Sequence, residues 1–163
     1  MHTSERERLM ERHRYSEWAG RSTVPAGQIV RQPIFTGDEL AGYRLERTQR
    51  RELPQQPPCV TSFWHRIGSP AVIRVDVFEC SSIDAAHAYL IEALGEFESA
   101  GIGRRTDVRF GDVAFGTDSV ALFARGNLVI LVRKATPQAE SVAEVAETID
   151  AIVVGRPRAG SAV

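Results

Sequence analysis

Five apolar residues in a row, Leu128-Val-Ile-Leu-Val132, leave this chain few ways to fold. The run is too short for a buried helix of ordinary length and stops at Arg133-Lys134. As a strand it sends Val129 and Leu131 to one side and Leu128, Ile130 and Val132 to the other. Both faces are then apolar, whereas an antiparallel strand with one wet face alternates. A central strand is expected, with a cover on each side. Helices suit one side; the other asks for a further segment of the chain, a partner subunit or a ligand. Just upstream, Ser119–Ala124 is apolar and rich in β-formers, and Arg125-Gly126-Asn127 separates the two runs. Gly126 and Asn127 tolerate positive φ, so the spacing predicts a tight hairpin.

The rest of the chain builds outwards from this hairpin. Tyr43–Arg47 alternates as an edge strand would, and Arg50-Arg51 followed by Pro54-Gln-Gln-Pro-Pro58 breaks the pattern into a loop. Val60–Arg66 and Ala71–Glu79 read as two strands around the turn Ile67-Gly-Ser-Pro70. With that loop, Trp64 falls opposite Ile73 on the core face. Phe63, His65, Arg74, Asp76 and Phe78 share the other face, and a slip of one residue would reverse the first strand's contribution. Ser82–Ser99 is the clearest helix: Ser82 can cap it, and Ile83, Ala86, Leu90, Ala93, Leu94 and Phe97 form one stripe, with His87 and Glu98 off it. A short strand is expected over Arg104–Phe110, ending at Gly111-Asp112. Ser141-Val-Ala-Glu144 is a capping box before a second stripe of Val142, Val145, Ala146, Ile149, Ile152 and Val153.

Residues 60–99 and 113–154 therefore both read strand, strand, helix. The expected fold is α+β: an antiparallel sheet of about five or six strands packed with two amphipathic helices, the strand-strand-helix plan being used twice. Length suits one domain, placed at residues 25–155 between a charged N-terminal arm, 1–24, and a polar tail, 156–163. The arm reads either as a short helix from Glu5 to Trp18 or as a loosely attached segment.

Several classes of function are disfavoured. The formal net charge is -1, and glutamates interleave with the arginines of the N-terminal arm, which argues against general nucleic-acid binding. No run is long and apolar enough to span a bilayer. The charged start MHTSERERLMERHRYSEW lacks the apolar core of a signal peptide, which predicts a cytoplasmic location. Cys59 and Cys80 match no zinc spacing and read as free buried thiols, with a disulfide as the alternative. No metal site and no cofactor is expected, and no phosphate loop, dinucleotide fingerprint or nucleophile-elbow motif occurs. Asp112 and Arg125 read as a turn residue and a solvated hairpin end.

The segment GDVAF, an apolar strand, RGN, a second apolar strand and a final helix containing AETIDAI resembles uncharacterised bacterial α+β domains, some of them in exported proteins. The likeness runs from Val72 to about Val154. It implies the same fold and an exported location for some relatives. It brings neither an activity nor any functional residue.

No catalytic residue is assigned. The candidate binding surface is the mixed aromatic and charged face of Phe63, His65, Arg74, Asp76 and Phe78, a composition that suits interfaces. The alternative for that face is an outer sheet surface covered by the N-terminal arm. The expected function is a non-enzymatic binding or assembly module, for a protein, a small ligand or a second copy of the chain. Two other readings stand beside it: a small enzyme with a dispersed site near His65, Asp76 and Cys80, and a nucleic-acid binder acting through the arginine-rich arm.

Overall fold

The computed structural model describes residues 2–18, 29–98, 101–139 and 142–155. Chain order is α1 (Thr3–Arg12), a single 3-10 turn at Tyr15–Glu17, β1 (Tyr43–Arg51), β2 (Cys59–Arg66), β3 (Val72–Glu79), α2 (Ile83–Glu96), β4 (Gly103–Arg104), β5 (Val113–Gly116), β6 (Val120–Arg125), β7 (Leu128–Lys134) and α3 (Val142–Gly155). The strands form one antiparallel sheet in the order β1-β2-β3-β7-β6-β5-β4. The fold is α+β, with seven strands rather than five or six. The strand expected over Arg104–Phe110 is reduced to the two residues of β4, with 105–110 outside any strand, and β5, four residues long and too short for a periodic signal, adds to the count. β1 also runs on through Arg50 and Arg51, which the sequence reads as the start of a loop.

β7 lies at the middle of the sheet, between β3 and β6. Its two apolar faces feed two separate cores. Leu128, Ile130 and Val132 pack with Trp64, Ile73, Val75, Phe123 and the α3 stripe. Val129 and Leu131 pack with Leu122, Phe115, Leu90, Leu94 and, from the N-terminal segment, Leu9 and Trp18. The sequence asks for something beyond a helix layer on one side. The fold instead places α3, with Val30, Ile34 and Leu40 of the preceding segment, on one face, and α1 with α2 on the other. The apolar strand is thus covered within the chain, which removes the need for a partner subunit there.

Local signals explain the joints. The Ser82 hydroxyl accepts the Ala85 N–H at 3.0 Å and starts α2. Gly126 turns the β6–β7 hairpin at φ +57°. Asn127 does more than turn the chain: fully buried, it accepts the Val30 N–H at 2.8 Å and donates to the Val30 and Cys80 carbonyls. One amide side chain so pins the incoming segment and the end of β3 to the hairpin. Trp64 pairs with Ile73, as the expected register requires.

The N-terminal segment is docked through Leu9 and Trp18, both fully buried. Arg8 and Arg12 pair with Glu98 at the end of α2. His87, off the apolar stripe by helical spacing, is buried, because α1 gives α2 a second packed side where Trp18 meets the His87 ring edge to face at 5.8 Å. Residues 19–24 of the arm, Ser141 of the capping box and the tail 156–163 lie outside the described residues.

Candidate functional site

α2 packs across β6 and β7, and α1 packs on α2. Among the described residues, no element lies over the same face of β1 and β2. Strand alternation there brings up Arg47, Gln49 and Arg51 from β1, Thr61, Phe63 and His65 from β2, and Arg74 and Asp76 from β3. β7 adds Arg133, whose register partner is Arg74.

The centre of this face is Asp76, only 1% exposed. Arg74 approaches it through Nε at 3.1 Å and Nη2 at 3.2 Å. Arg51 reaches it at 3.3 Å and Arg133 at 3.5 Å. The Thr61 hydroxyl donates to the same carboxylate. Three guanidinium groups therefore share one carboxylate, leaving two positive charges in excess. Burial first, and then the neighbouring Arg74, pushes the Arg133 guanidinium below its ordinary value. The Nε atoms of Arg51 and Arg133 are buried without a hydrogen-bond partner. Asp76 gathers the three cations without neutralising them, and such a cluster attracts anions.

Phe63 stands beside the cluster. The Arg47 guanidinium lies over its ring at 4.3 Å and that of Arg74 at 5.8 Å. His65 sits further along β2, half-buried, with Nδ1 3.7 Å from the Glu46 carboxylate. Of the residues expected to share this face, Phe63, Arg74 and Asp76 come together, and His65 lies at one end. Phe78 is on the same side of the sheet but beneath α2, 7% exposed and 4.8 Å from the Tyr89 ring, so it belongs to the core. Sequence reading missed Arg51 and Arg133. Alternation along β1 and β7 carries a weak signal for each, but only the pairing of β3 with β7 sets Arg133 against Arg74.

The fold does not assemble the dispersed enzyme site. His65 pairs with Val72, and Cys80 lies eight residues further along the same strand direction, roughly 26 Å at strand rise. Burial, with Glu79 second, pushes the Cys80 thiol up to about 12, so it stays protonated at neutral pH. Both cysteines are free. Among the described residues, no group of three or more His, Cys, Asp or Glu is arranged to hold a metal ion, and no helix is long and apolar enough to cross a membrane.

Arg125 and Asp112 form a different kind of site. Arg125 was expected in solvent, yet its side chain is 11% exposed and bridges Asp112 at 3.0 Å and Asp150 at 2.8 Å. The Asp112 carboxylate also accepts the Gly126 N–H at 2.8 Å. The cation is balanced by two carboxylates and fastens the hairpin to α3, which is a structural role. A concavity of about 480 Å³ beside the end of α1, lined by Arg12, His13, Arg14 and Arg104, lies away from the arginine cluster, and its Arg12 is already paired with Glu98.

No protein-family model, no curated protein and no solved structure matches this chain.

Proposed function

We propose that this protein is a non-enzymatic binding module that docks an acidic protein segment across the open face of β1 and β2, up to Arg74 and Asp76 of β3. One observation carries the reading: Arg51, Arg74 and Arg133 converge on the single carboxylate of Asp76, where the part of the sheet packed under α2 meets the open face of β1 and β2. Phe63 supplies an apolar contact within the charged surface, and Arg47 extends the positive charge to the edge strand. Arginine and aromatic residues together are what protein interfaces favour. The self-association reading loses its main argument, since helices of the same chain cover both faces of β7. The enzyme reading lacks an activated nucleophile, because Cys80 is held as a thiol far from His65.

A fluorescein-labelled, glutamate-rich peptide tests this by anisotropy with the full chain. Binding is expected to weaken as salt rises. Phe63→Ser and Arg47→Gln should each weaken it by about tenfold, while Arg105→Gln beside β4 leaves it unchanged. No binding, or binding indifferent to Phe63 and Arg47, overturns the reading.

A further inference from the structure

We infer that Arg51, Arg74 and Arg133 form an oxyanion subsite that takes a phosphate group carried by the docked segment. The inference rests on the acidic-segment reading above and adds a chemical identity to its anchor.

A guanidinium offers five N–H groups in a fixed fork. Arg51 and Arg133 each place only Nη2 on Asp76, and Arg74 places Nε and Nη2. Each arginine therefore retains an Nη1 that donates to no protein acceptor among the described residues. Their side chains are 35%, 33% and 27% exposed for Arg51, Arg133 and Arg74. The three groups are partly sunk in the sheet and still reachable from solvent.

Charge and number of acceptors then select the ligand. A carboxylate carries one charge and two oxygens, and a single arginine fork satisfies it. A phosphate monoester carries about -1.5 to -2 charges and three acceptor oxygens. The cluster has three forks and two excess positive charges. Glu96 of α2 also acts on Arg133, as the smallest of its electrostatic neighbours, and Arg47 adds a further cation over Phe63. Three donors facing three oxygens, with matched charge, describe a phosphate better than a glutamate side chain.

Asp76 has a positioning part in this. Without a shared carboxylate, three like charges would spread apart. Thr61 holds the Asp76 carboxylate from the strand below the cluster, and that carboxylate orients all three arginines before any ligand arrives. Such preorganisation lowers the entropy lost on binding.

The test compares the glutamate-rich peptide with the same peptide carrying one central phosphoserine, against the full chain and its Arg133→Gln and Arg51→Gln variants. Each variant leaves Asp76 with two arginines and Thr61, so the fold is kept, and circular dichroism checks it. Phosphorylation is expected to tighten binding by about 10- to 100-fold. Either variant should abolish most of that gain, while weakening the unphosphorylated peptide by a smaller factor of about three to five, the share of one cation among several. Arg47→Gln should weaken both peptides alike. Equal affinity for the two peptides overturns the phosphate inference and leaves acidic docking intact. Failure of both peptides to bind overturns both. Inorganic phosphate binding as tightly as the phosphopeptide overturns the assignment of the group to a docked segment.

Discussion

Arg125 donates from Nε and Nη2 to the two carboxylate oxygens of Asp150, both at 2.8 Å, and so locks the end of β6 to α3. The same guanidinium reaches Asp112, which holds the hairpin turn through Gly126. The two carboxylates are almost wholly buried, at 0% and 5% side-chain exposure for Asp112 and Asp150. Arg125→Met removes the cation between them and is expected to destabilise the protein by about 3–5 kcal/mol. Asp150→Asn keeps the Asp112 pair and should cost less, about 1–2 kcal/mol. Urea unfolding midpoints of the two variants check the order; a harmless Arg125→Met would mean the bridge contributes little.

Phe63 and Phe78 lie on one side of the sheet yet have opposite roles. Phe78 sits under Tyr89 in the core, and Phe78→Ala is expected to cost about 3–5 kcal/mol. Phe63 is half-buried at the open face, and Phe63→Ala should cost less than about 1 kcal/mol while reducing binding of the acidic peptide. Thermal unfolding beside peptide anisotropy separates the two effects. Equal stability losses would place Phe63 in the core and remove it from the docking surface.

How much of this could be read from sequence depended on whether the signal was local. The β6–β7 hairpin was legible, because an apolar run, Gly126-Asn127 and a second apolar run fix turn and faces together. The α2 start at Ser82 and the opposition of Trp64 to Ile73 were legible for the same reason. Burial of Arg125 was not, since a hairpin-end arginine is ordinarily solvated and only the distant Asp150 encloses it. Burial of His87 was not legible either, because α1, remote in sequence, gives α2 its second packed side. Half of the arginine cluster was visible, as Arg74 and Asp76 alternate on one strand. Arg133 joined it only through the non-consecutive pairing of β3 with β7, and no local pattern encodes that neighbour.

The docking of α1 should depend on pH. His13 and His87 are buried, and each has an Nε2 with no hydrogen-bond partner. Burial is the largest cause lowering both values below the ordinary histidine range. Arg12 lowers His13 further while Glu98 opposes; Asp112 and Asp84 oppose the shift at His87. A lowered value means the unfolded chain binds more protons than the folded one as pH falls below about 6.5. Stability is therefore level above that point and declines as pH falls below it. The Glu98 carboxylate, held low by its hydrogen bond from Arg8, adds its own loss further into acid. Urea midpoints at pH 7 and pH 5 should differ in the native protein and converge in a His13→Gln, His87→Gln double variant. An unchanged difference in that variant would assign the acid sensitivity to other groups.

Cys80 provides the last check, because it separates binding from catalysis by a purely chemical property. A thiol pushed up to about 12 holds about a thousandfold less thiolate at neutral pH than an ordinary cysteine. Only 5% of the residue is exposed, so access is restricted as well. Cys59, raised by its own burial first and by Asp76 second, behaves in the same direction. Iodoacetamide at pH 7.5 should label the native protein far more slowly than free cysteine, and label two thiols once urea unfolds the chain. A single fast-reacting thiol in the folded state, assigned to Cys80 by peptide mapping, would mean that the concavity at the end of β3 lined by Arg31, Glu79 and Cys80 activates it, and would support the enzyme reading.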